Sequence, residues 1–311
     1  MTEFDAQPFD APPFAFGRSV LDRIETTRED HGELEQLWAH PASVLVDVYG
    51  SSLPVDPQLE GQHPLIRATV DSGAELDECF LLGSFEGRVY FGRSLDPQTA
   101  PGDLQLVTLR EAGYHLSEVE AEAVVTTVAL SNWHRTHQFC PRCGQPTKSA
   151  QAGWLRLCIA DNSEHYPRTD PAVIMLITDS QDRALLGRRV GWEDGRYSTL
   201  AGFVEPGEPA ERAVVRECAE EVNVAVDPSS VIFKASQPWP FPSSLMIGFH
   251  ARAYTDDDPR PDGTEIVEAA WFTRDQLAQA CEEGSVRVPP RISISRYLIE
   301  DWYGGELPGV W

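Results

Sequence analysis

The stretch "GFVEPGEPAERAVVRECAEEV" (residues 202–222) contains six glutamates in 21 residues. Pro209 suits the first turn of a helix, and the good helix formers that follow it predict a helix from the next residue onward. On such a helix Glu217, Glu220 and Glu221 stand at positions i, i+3 and i+4, so their carboxylates share one face. Like charges this close destabilise a helix by a few tenths of a kcal/mol per pair unless something neutralises them. The stretch therefore indicates a bound cation.

Three carboxylates on one helix face offer only oxygen ligands, which suit Mg²⁺ or Mn²⁺ because both are hard ions. Such ions keep several waters and bind substrate phosphates, so the pattern favours a phosphoryl-transfer site over a storage cage. Arg216 can reach back toward Glu208 and fasten the loop before the helix to the helix itself. A group of glutamates is more often a solvated helix face, but the fixed spacing of Gly202, Glu208 and Arg216 argues against that alternative.

A cysteine cluster precedes this stretch. Cys140 and Cys143 are separated by two residues and followed by glycine, which is typical of a zinc knuckle, and Cys158 comes later. A complete ribbon would have a fourth cysteine where this chain has Asp161, and His165 lies four residues further on. Either can complete a tetrahedron; histidine is the commoner structural ligand, whereas Asp161 has the ribbon spacing and is the one we favour. The pattern predicts a structural zinc, the alternative being a ribbon that has lost its metal.

The composition narrows the class of protein. The chain has 311 residues and a net charge of −24, which opposes non-specific attraction to DNA or to anionic membranes. No apolar run approaches the ~20 residues that span a bilayer. The start, "MTEFDAQPFDAPPF", lacks the basic and apolar regions of a signal peptide. A soluble cytoplasmic protein is expected, in which the six cysteines serve metal binding or packing before disulfides.

Three segments follow one another along the chain. Residues 1–138 combine an irregular acidic start with short strand-like runs and one helix, "SEVEAEAVVTTVALSNWHRTH", which Ser117 and Glu120 begin as a capping box. Residues 139–168 contain the cysteine cluster. Residues 169–311 alternate buried-strand patterns such as "PAVIMLITD" with helical segments. The sequence therefore predicts an α/β (α+β) protein with an N-terminal α+β domain, a zinc-ribbon-like segment and a larger C-terminal domain.

The glutamate-rich stretch resembles the Nudix box, G-x5-E-x7-R-E-U-x-E-E-x-G-U, in which U is an apolar residue. Cys218 and Val224 take the two U positions, and Asn223 stands where the family has glycine. That glycine ends the helix in a left-handed conformation, for which asparagine is the next most tolerant residue. The resemblance implies a Nudix α/β/α sandwich over residues 169–311. It also implies hydrolysis of a nucleoside diphosphate linked to another moiety.

A second motif indicates the substrate. The segment "SQPWPFPSSLM" (residues 236–246) resembles the SQPWPFPxS motif of NADH pyrophosphatases, the NudC-type branch of the family. Its prolines fix φ and stiffen the loop, so Trp239 and Phe241 can present flat apolar faces to a nicotinamide or adenine ring at low entropic cost. The alternative is a loop whose aromatic side chains fill the core. The substrate-binding residues predicted here are Gln237, Pro238, Trp239, Pro240, Phe241, Pro242, Ser243 and Ser244.

The same resemblance implies four further substrate contacts. Phe203 follows the glycine of the box and matches an aromatic residue that stacks on a base. Tyr166, in "HYPR", matches a substrate-contacting tyrosine, and Ser295 matches a residue whose backbone meets the substrate. Arg110, ahead of the ribbon, matches a substrate-binding arginine.

The resemblance also implies the metal site. Glu217 and Glu221 of the box, together with a downstream glutamate, would hold Mg²⁺ or Mn²⁺. Glu265 in "TEIVEAAWF" matches that downstream residue, and Glu268 is the rival by spacing. Glu220 is the candidate acceptor for the proton of the attacking water. The catalytic residues implied are Glu217, Glu220, Glu221 and Arg216.

The implied reaction is hydrolysis of the pyrophosphate bond of NAD(H), which gives AMP and nicotinamide mononucleotide. The ribbon zinc is expected to brace the fold and, as in relatives, a homodimer. One alternative is removal of the 5′ NAD cap from RNA by the same chemistry, which the acidic charge mildly disfavours. Another is a non-enzymatic NAD sensor built on an inactive Nudix fold, against which the retained metal glutamates argue.

Overall fold

The structure is a computed structural model that describes residues 14, 16–55, 64–102, 104–113 and 115–309. Its internal contacts divide the chain into two units. The N-terminal unit contains the described residues of 19–170 and 238–245, and the C-terminal unit those of 1–18, 171–237 and 246–311. Residues 1–13, the start that gave no signal-peptide pattern, lie outside the described part.

A sheet and three helices form the first part of the N-terminal unit. The strands are β1 Val44–Tyr49, β2 Ser52–Pro54, β3 Ile66–Ala68, β4 Cys79–Phe85, β5 Arg88–Leu95 and β6 Leu106–Thr108. They pair in the order β4-β5-β1-β2-β6, with β3 paired to β1. The helices are α1 His31–Trp38, α2 Leu109–Ala112 and α3 Glu118–Thr136. This arrangement confirms the predicted N-terminal α+β domain.

Helix α3 begins as its sequence predicts and packs on β5. The side chain of Ser117 accepts a hydrogen bond from the backbone of Glu120, whose carboxylate returns one to the backbone of Ser117, which is the predicted capping box. The helix lies so close to β5 that a Cβ at Gly92 would overlap the side chain of Thr127. Glycine at that position therefore lets the helix approach the sheet.

A small antiparallel sheet contains the cysteine-rich segment. Its strands are β7 Thr147–Ala150, β8 Leu155–Cys158 and β9 Glu164–His165, paired in the order β7-β8-β9. Thr147 lies opposite Cys158 in the β7–β8 hairpin. The last cysteine is therefore held at the end of a strand, within reach of the knuckle that precedes β7.

The C-terminal unit is built on a second sheet with three helices. The strands are β10 Asp170–Thr178, β11 Ala184–Arg189, β12 Leu200–Phe203, β13 Ile232–Trp239, β14 Ser244–Arg252 and β15 Ile266–Phe272. They pair in the order β13-β14-β10-β11-β15, with β12 paired to β10. The helices are α4 Ala210–Val222, α5 Arg274–Glu282 and α6 Ile294–Tyr303. None of the helices in the described ranges combines the length and the hydropathy that a membrane span requires.

Strand β10 is buried on both faces, as its continuous apolar run predicts. Met175 and its odd-numbered neighbours share a core cluster with Val214 and Cys218 of α4. Leu176 and its even-numbered neighbour share a different cluster with Leu298 and other residues of α5 and α6. Helices therefore cover both faces of the sheet, which confirms the predicted α/β/α sandwich.

Helix α4 ends at the residue where the sequence departs from the Nudix pattern. Asn223 adopts a left-handed conformation, with φ 56° and ψ 35°, and its backbone N–H bonds to the carbonyl of Ala219. Asparagine tolerates this conformation better than other residues with a Cβ. The substitution for glycine therefore leaves the helix exit in the expected form.

Candidate active site

Strand β12 and helix α4 bring Gly202 and Glu217, two positions of the Nudix-box pattern, into contact. Gly202 lies opposite Val173 of β10, which fixes its backbone in the sheet. A Cβ at this position would overlap the carboxyl group of Glu217. Only glycine leaves room for the carboxylate against the sheet, so this contact explains why the pattern begins with glycine.

Arg216 connects the loop before α4 to the carboxylates of the helix. Its Nε and Nη2 donate to the two carboxylate oxygens of Glu208 at 2.9 and 2.8 Å, and its Nη2 also donates to the carbonyl of Phe203 at 2.9 Å. Its Nη1 donates to Glu217 at 2.8 Å and to Glu220 at 3.0 Å. The planar guanidinium suits this forked arrangement. The predicted contact between Arg216 and Glu208 is therefore present, and one arginine sets the positions of three glutamates.

Glu221 is the buried member of the glutamate cluster. Its exposed fraction is 4%, and its Oε2 has no hydrogen-bond partner among the described residues. Burial, followed by the negative charge of Glu217, raises the pKa of Glu221 to about 8, and Glu265 and Asp262 add to the shift. A buried carboxyl surrounded by acids favours its neutral form at pH 7 unless a cation offsets the charge. The surroundings of Glu221 therefore fit a cation ligand.

A turn that lies outside the sequence motifs fixes the position of Glu265. The backbone N–H of Asp262 donates to the carbonyl of Glu221 at 2.9 Å, which ties the turn to the end of α4. The carboxylate of Asp262 accepts from the backbone N–H groups of Glu265 at 3.1 Å and Ile266 at 2.9 Å. An aspartate followed by glycine and threonine is typical of such a turn. The segment "DGTE" has this pattern, so the sequence could have predicted the turn.

Glu265 and Glu268, the two candidates for the downstream glutamate, have different surroundings. Glu268 is bound by Arg188 at 2.9 Å and by the hydroxyl of Tyr197 at 3.0 Å, and the hydrogen bond from Arg188 lowers its pKa. Glu265 makes an ion pair with Arg189 at 2.7 Å and lies close enough to raise the pKa of Glu221. Of the two, Glu265 is therefore the one whose charge acts on Glu221.

The acidic groups around α4 provide the donor set that a hard divalent cation requires. Glu217, Glu221 and Glu265 offer only oxygen atoms, and one of those oxygens is buried without a partner in the described chain. Arg216 and Arg189 neutralise Glu217 and Glu265 in the structure. These oxygen donors suit a divalent cation by their chemistry, but among the described residues the structure groups only the cysteine cluster closely enough to hold a metal ion.

Glu220 lies apart from the buried group. Its side chain is 62% exposed, and it is bound by Arg216. It is therefore open to solvent, whereas Glu221, one residue on, faces the core.

The proline–aromatic loop lies in the N-terminal unit together with Arg110. Trp239 and Phe241 are partly buried and meet edge to face, with ring centroids 5.0 Å apart. The guanidinium of Arg110 stands 4.5 Å from the ring centroid of Phe241 and 5.4 Å from that of Trp239. The structure thus groups Arg110 with the two aromatic residues, although it lies far from them in sequence.

The exit of this loop is fastened to the start of β10. Ser243 donates from its hydroxyl to the carboxylate of Asp170 at 2.6 Å, and its carbonyl accepts from the backbone N–H of Asp170 at 2.8 Å. Pro240 is buried, whereas Pro238 and Pro242 are exposed. Ser244, the first residue of β14, is partly exposed. The two aromatics are therefore partly accessible rather than enclosed in the core.

Two of the predicted substrate contacts point inward. Gln237 is fully buried; its amide nitrogen donates to the carbonyl of Ile292 at 2.7 Å, and its oxygen accepts from the backbone of Ile294 at 2.9 Å. Ser295 is 1% exposed, and its hydroxyl lies 2.8 Å from the hydroxyls of Ser198 and Thr199. Both side chains hold the start of α6, and the backbone N–H of Ser295 donates to the hydroxyl of Ser293 at 3.2 Å.

Two other predicted contacts point outward. Phe203, at the end of β12, and Tyr166, after β9, are each 60% exposed. The hydroxyl of Tyr166 donates to Glu164 at 2.6 Å. Both rings are accessible to a ligand.

The cysteine cluster forms a compact set of potential metal ligands. One ligand atom from each of Cys140, Cys143, Cys158 and Asp161 lies within 4.8 Å of the others. Among the described residues, His165 is not in this group. The set of three thiols and one carboxylate fits zinc, and it matches the ribbon spacing that favours Asp161.

Ser163 makes hydrogen bonds to members of the cysteine cluster. Its backbone and hydroxyl donate to Asp161 at 2.9 and 2.6 Å, and its hydroxyl also lies 3.1 Å from Nε2 of His165. The same hydroxyl lies 3.4 Å from the sulfur of Cys140, so Ser163 contacts both a thiol and the carboxylate of the cluster.

Comparison with known proteins then identifies the family. The NUDIX domain model matches residues 168–290, and the model of the NADH pyrophosphatase zinc ribbon domain matches residues 135–166. A NAD-capped RNA hydrolase NudC of Mycobacterium bovis is 37% identical over 298 residues, which cover 92% of this chain and 93% of that protein. The chain belongs to the NudC-type branch of the Nudix hydrolases.

Other Nudix proteins are similar over shorter lengths. The human mitochondrial NAD(P)H pyrophosphatase NUDT13 is 40% identical over 215 residues, or 63% of this chain and 58% of that protein. A Nudix hydrolase structure from Nitrosomonas europaea aligns with a TM-score of 0.42 and 22% identity, and it covers 56% of this chain and 96% of that chain.

The zinc ribbon of this Nudix hydrolase can be tested by metal analysis. We expect about one zinc per chain in protein purified without chelators, and loss of both zinc and thermal stability in Cys143→Ser, because ligand loss removes binding energy that stabilises the fold. Asp161→Ala should lose zinc, whereas His165→Ala, the matched control, should keep it. Absence of zinc from the wild type, or zinc loss only in His165→Ala, would contradict this assignment.

Proposed function

We propose that this chain hydrolyses the pyrophosphate bond of NAD(H) and releases AMP and nicotinamide mononucleotide. The observation that carries the proposal is a Nudix helix with a buried carboxylate oxygen that lacks a partner in the described chain, in a sequence that also contains the SQPWPFP loop. The names of the relatives support it, since one is a NAD-capped RNA hydrolase and another a NAD(P)H pyrophosphatase.

The acidic residues around α4 would bind the diphosphate through a divalent ion. Glu217, Glu221 and Glu265 are the residues that would hold Mg²⁺ or Mn²⁺. The chemistry that the ion supplies when bound is neutralisation of the diphosphate and of the charge that develops during transfer. Arg216 keeps Glu217 and Glu220 in place through the hydrogen bonds it donates to both.

An acceptor is also required for the proton of the attacking water. We assign this role to Glu220, because its carboxylate is exposed to solvent and is held next to Glu217 by the hydrogen bonds of Arg216 to both. Its neighbour Glu221 is the better ligand, since it is buried and has an oxygen without a partner in the part of the chain described. The two adjacent glutamates thus have different environments and different roles.

The remainder of the dinucleotide must be recognised by groups other than carboxylates. NAD(H), ADP-ribose and other nucleotides share the diphosphate, so a metal site alone cannot distinguish them. Trp239 and Phe241 are candidates for stacking on a ring, and Arg110 lies against both. Phe203, Tyr166 and the backbone of Ser295 are the further contacts in this proposal.

Removal of a 5′ NAD cap from RNA is the second candidate function. The Mycobacterium bovis relative is named for this activity, and the bond that breaks is the same. The net charge of −24 favours contact with the 5′ end alone rather than with a long stretch of RNA. Comparison of turnover on free NADH and on NAD-capped RNA would distinguish the two substrates.

We also propose how the chain is divided into domains, how it assembles and where it is located. Residues 169–311 would act as the hydrolase domain, behind an N-terminal domain of residues 1–138 and a zinc-binding segment of residues 139–168. We further propose a homodimer, as the NudC-type resemblance implies. A cytoplasmic location is supported by the six cysteines, none of which forms a disulfide in the described chain.

Substitution of the paired glutamates tests the proposed activity. Glu220→Gln and Glu221→Gln should each lower kcat for NADH at least ~100-fold, because one removes the proton acceptor and the other a metal ligand. Glu211→Gln, in the first turn of the same helix, is the matched control and should retain activity. Near-normal turnover of both variants with Mg²⁺ or Mn²⁺ would show that the box is not the active site.

Substitution of the loop tryptophan tests the substrate. Loss of one stacking partner costs about 1–3 kcal/mol, so Trp239→Ala should lower kcat/KM for NADH about 5- to 150-fold. ADP-ribose should be affected much less, because it lacks nicotinamide. Tyr254→Ala, which removes an exposed aromatic residue outside the loop, is the control. Equal losses on both substrates, or no loss on either, would refute nicotinamide stacking on Trp239.

A further inference from the structure

A single side chain on helix α3 holds the middle of the proline–aromatic loop. The amide nitrogen of Asn132 donates to the carbonyl of Pro240 at 3.0 Å and to the carbonyl of Pro242 at 3.0 Å. Its oxygen accepts from the guanidinium of Arg135 at 3.3 Å, which fixes the end of the amide that carries the hydrogens. Both N–H groups of Asn132 are therefore used on the loop.

The loop needs such a donor because of its composition. Pro238, Pro240 and Pro242 lack backbone N–H groups, so the segment has few donors of its own. Within the loop the backbone of Phe241 donates to the carbonyl of Trp239 at 2.7 Å. Buried carbonyl groups require partners, and Pro240 is buried. Asn132 supplies the partners for the two carbonyls that flank Phe241.

We propose that Asn132 is a positioning residue that fixes Phe241 and Trp239 in the orientation in which they stack on the substrate. The inference rests on the proposed function, since the ring to be stacked is that of the dinucleotide. Asn132 is 9% exposed and acts through the loop rather than on the substrate. Arg110 contacts the ring of Phe241 from α2, while Asn132 holds the backbone on either side of that ring.

Asparagine is the residue type that this role requires. Aspartate has nearly the same shape, but its carboxylate has no donor and would face two carbonyl oxygens. Leucine has a similar size and no polar group at all. A buried carbonyl without its donor costs about 1–3 kcal/mol, which is ample to let the loop leave its position.

The test compares Asn132→Asp and Asn132→Leu with Ser131→Ala. Ser131 is the buried neighbour on the same helix, and its hydroxyl meets that of Ser94 rather than the loop. In the Asn132 variants we expect KM for NADH to rise about 5- to 50-fold with kcat changed less than about threefold. KM for ADP-ribose should change little, and Ser131→Ala should resemble the wild type on both substrates.

A double-mutant cycle shows whether the effect passes through the loop. If Asn132 acts by orienting Trp239, then Trp239→Ala should cost little further in the Asn132→Leu background. Fully additive losses would overturn the proposal, and so would equal losses on NADH and ADP-ribose.

Amide hydrogen exchange needs no substrate, so it tests the role of Asn132 independently of the proposed function. Amide hydrogen exchange in residues 239–245 should be at least about tenfold faster in Asn132→Asp than in Ser131→Ala, because the loop opens locally. Unchanged exchange would show that Asn132 does not order the loop. Absence of NADH turnover by the wild type would refute the proposed function and the stacking role, and the exchange rates would still decide whether Asn132 orders the loop.

Discussion

A carboxylate buried among other carboxylates is the constraint on which the C-terminal unit depends. Glu221 lies inside the protein with a raised pKa, and an oxygen that has no partner in the described chain. Burial of a charge is expensive unless it is paired, so this position is costly in an inert protein and useful in one that binds a cation. Its surroundings are arranged accordingly: Gly202 leaves room for Glu217, Arg216 fixes the helix face, and Asp262 sets the turn that carries Glu265.

Local sequence was sufficient to predict the helix and its acidic face. The helix depends on signals that are close together in sequence: the spacing of the glutamates, the proline before the first turn and Asn223 at the exit. The contact between Arg216 and Glu208 is local in the same way. Spacing alone did not show that Glu221 would be buried and Glu220 exposed, because that depends on how α4 is rotated against the sheet. The choice of Glu265 over Glu268 likewise depends on arginines from another strand.

Contacts between residues distant in sequence explain what the loop motif alone could not. The SQPWPFP segment predicted stiff aromatics, but its support comes from Arg110 and Asn132, more than a hundred residues earlier. No periodicity or spacing links such positions. The ribbon differs, because the spacing of its ligands is local, and the structure groups Asp161 with the three cysteines. Gln237 belongs to the motif by sequence, yet the structure uses its side chain to hold the start of α6.

The most direct test of the account is to measure Mn²⁺ binding by electron paramagnetic resonance in the wild type and in Glu221→Gln. The account predicts that the wild type binds Mn²⁺ more tightly as pH rises toward about 8, since the ion must displace a proton from Glu221. The variant should bind at least about tenfold more weakly and lose this pH dependence. Equal affinity in the two proteins at every pH would contradict the claim that the buried carboxylate is a metal ligand.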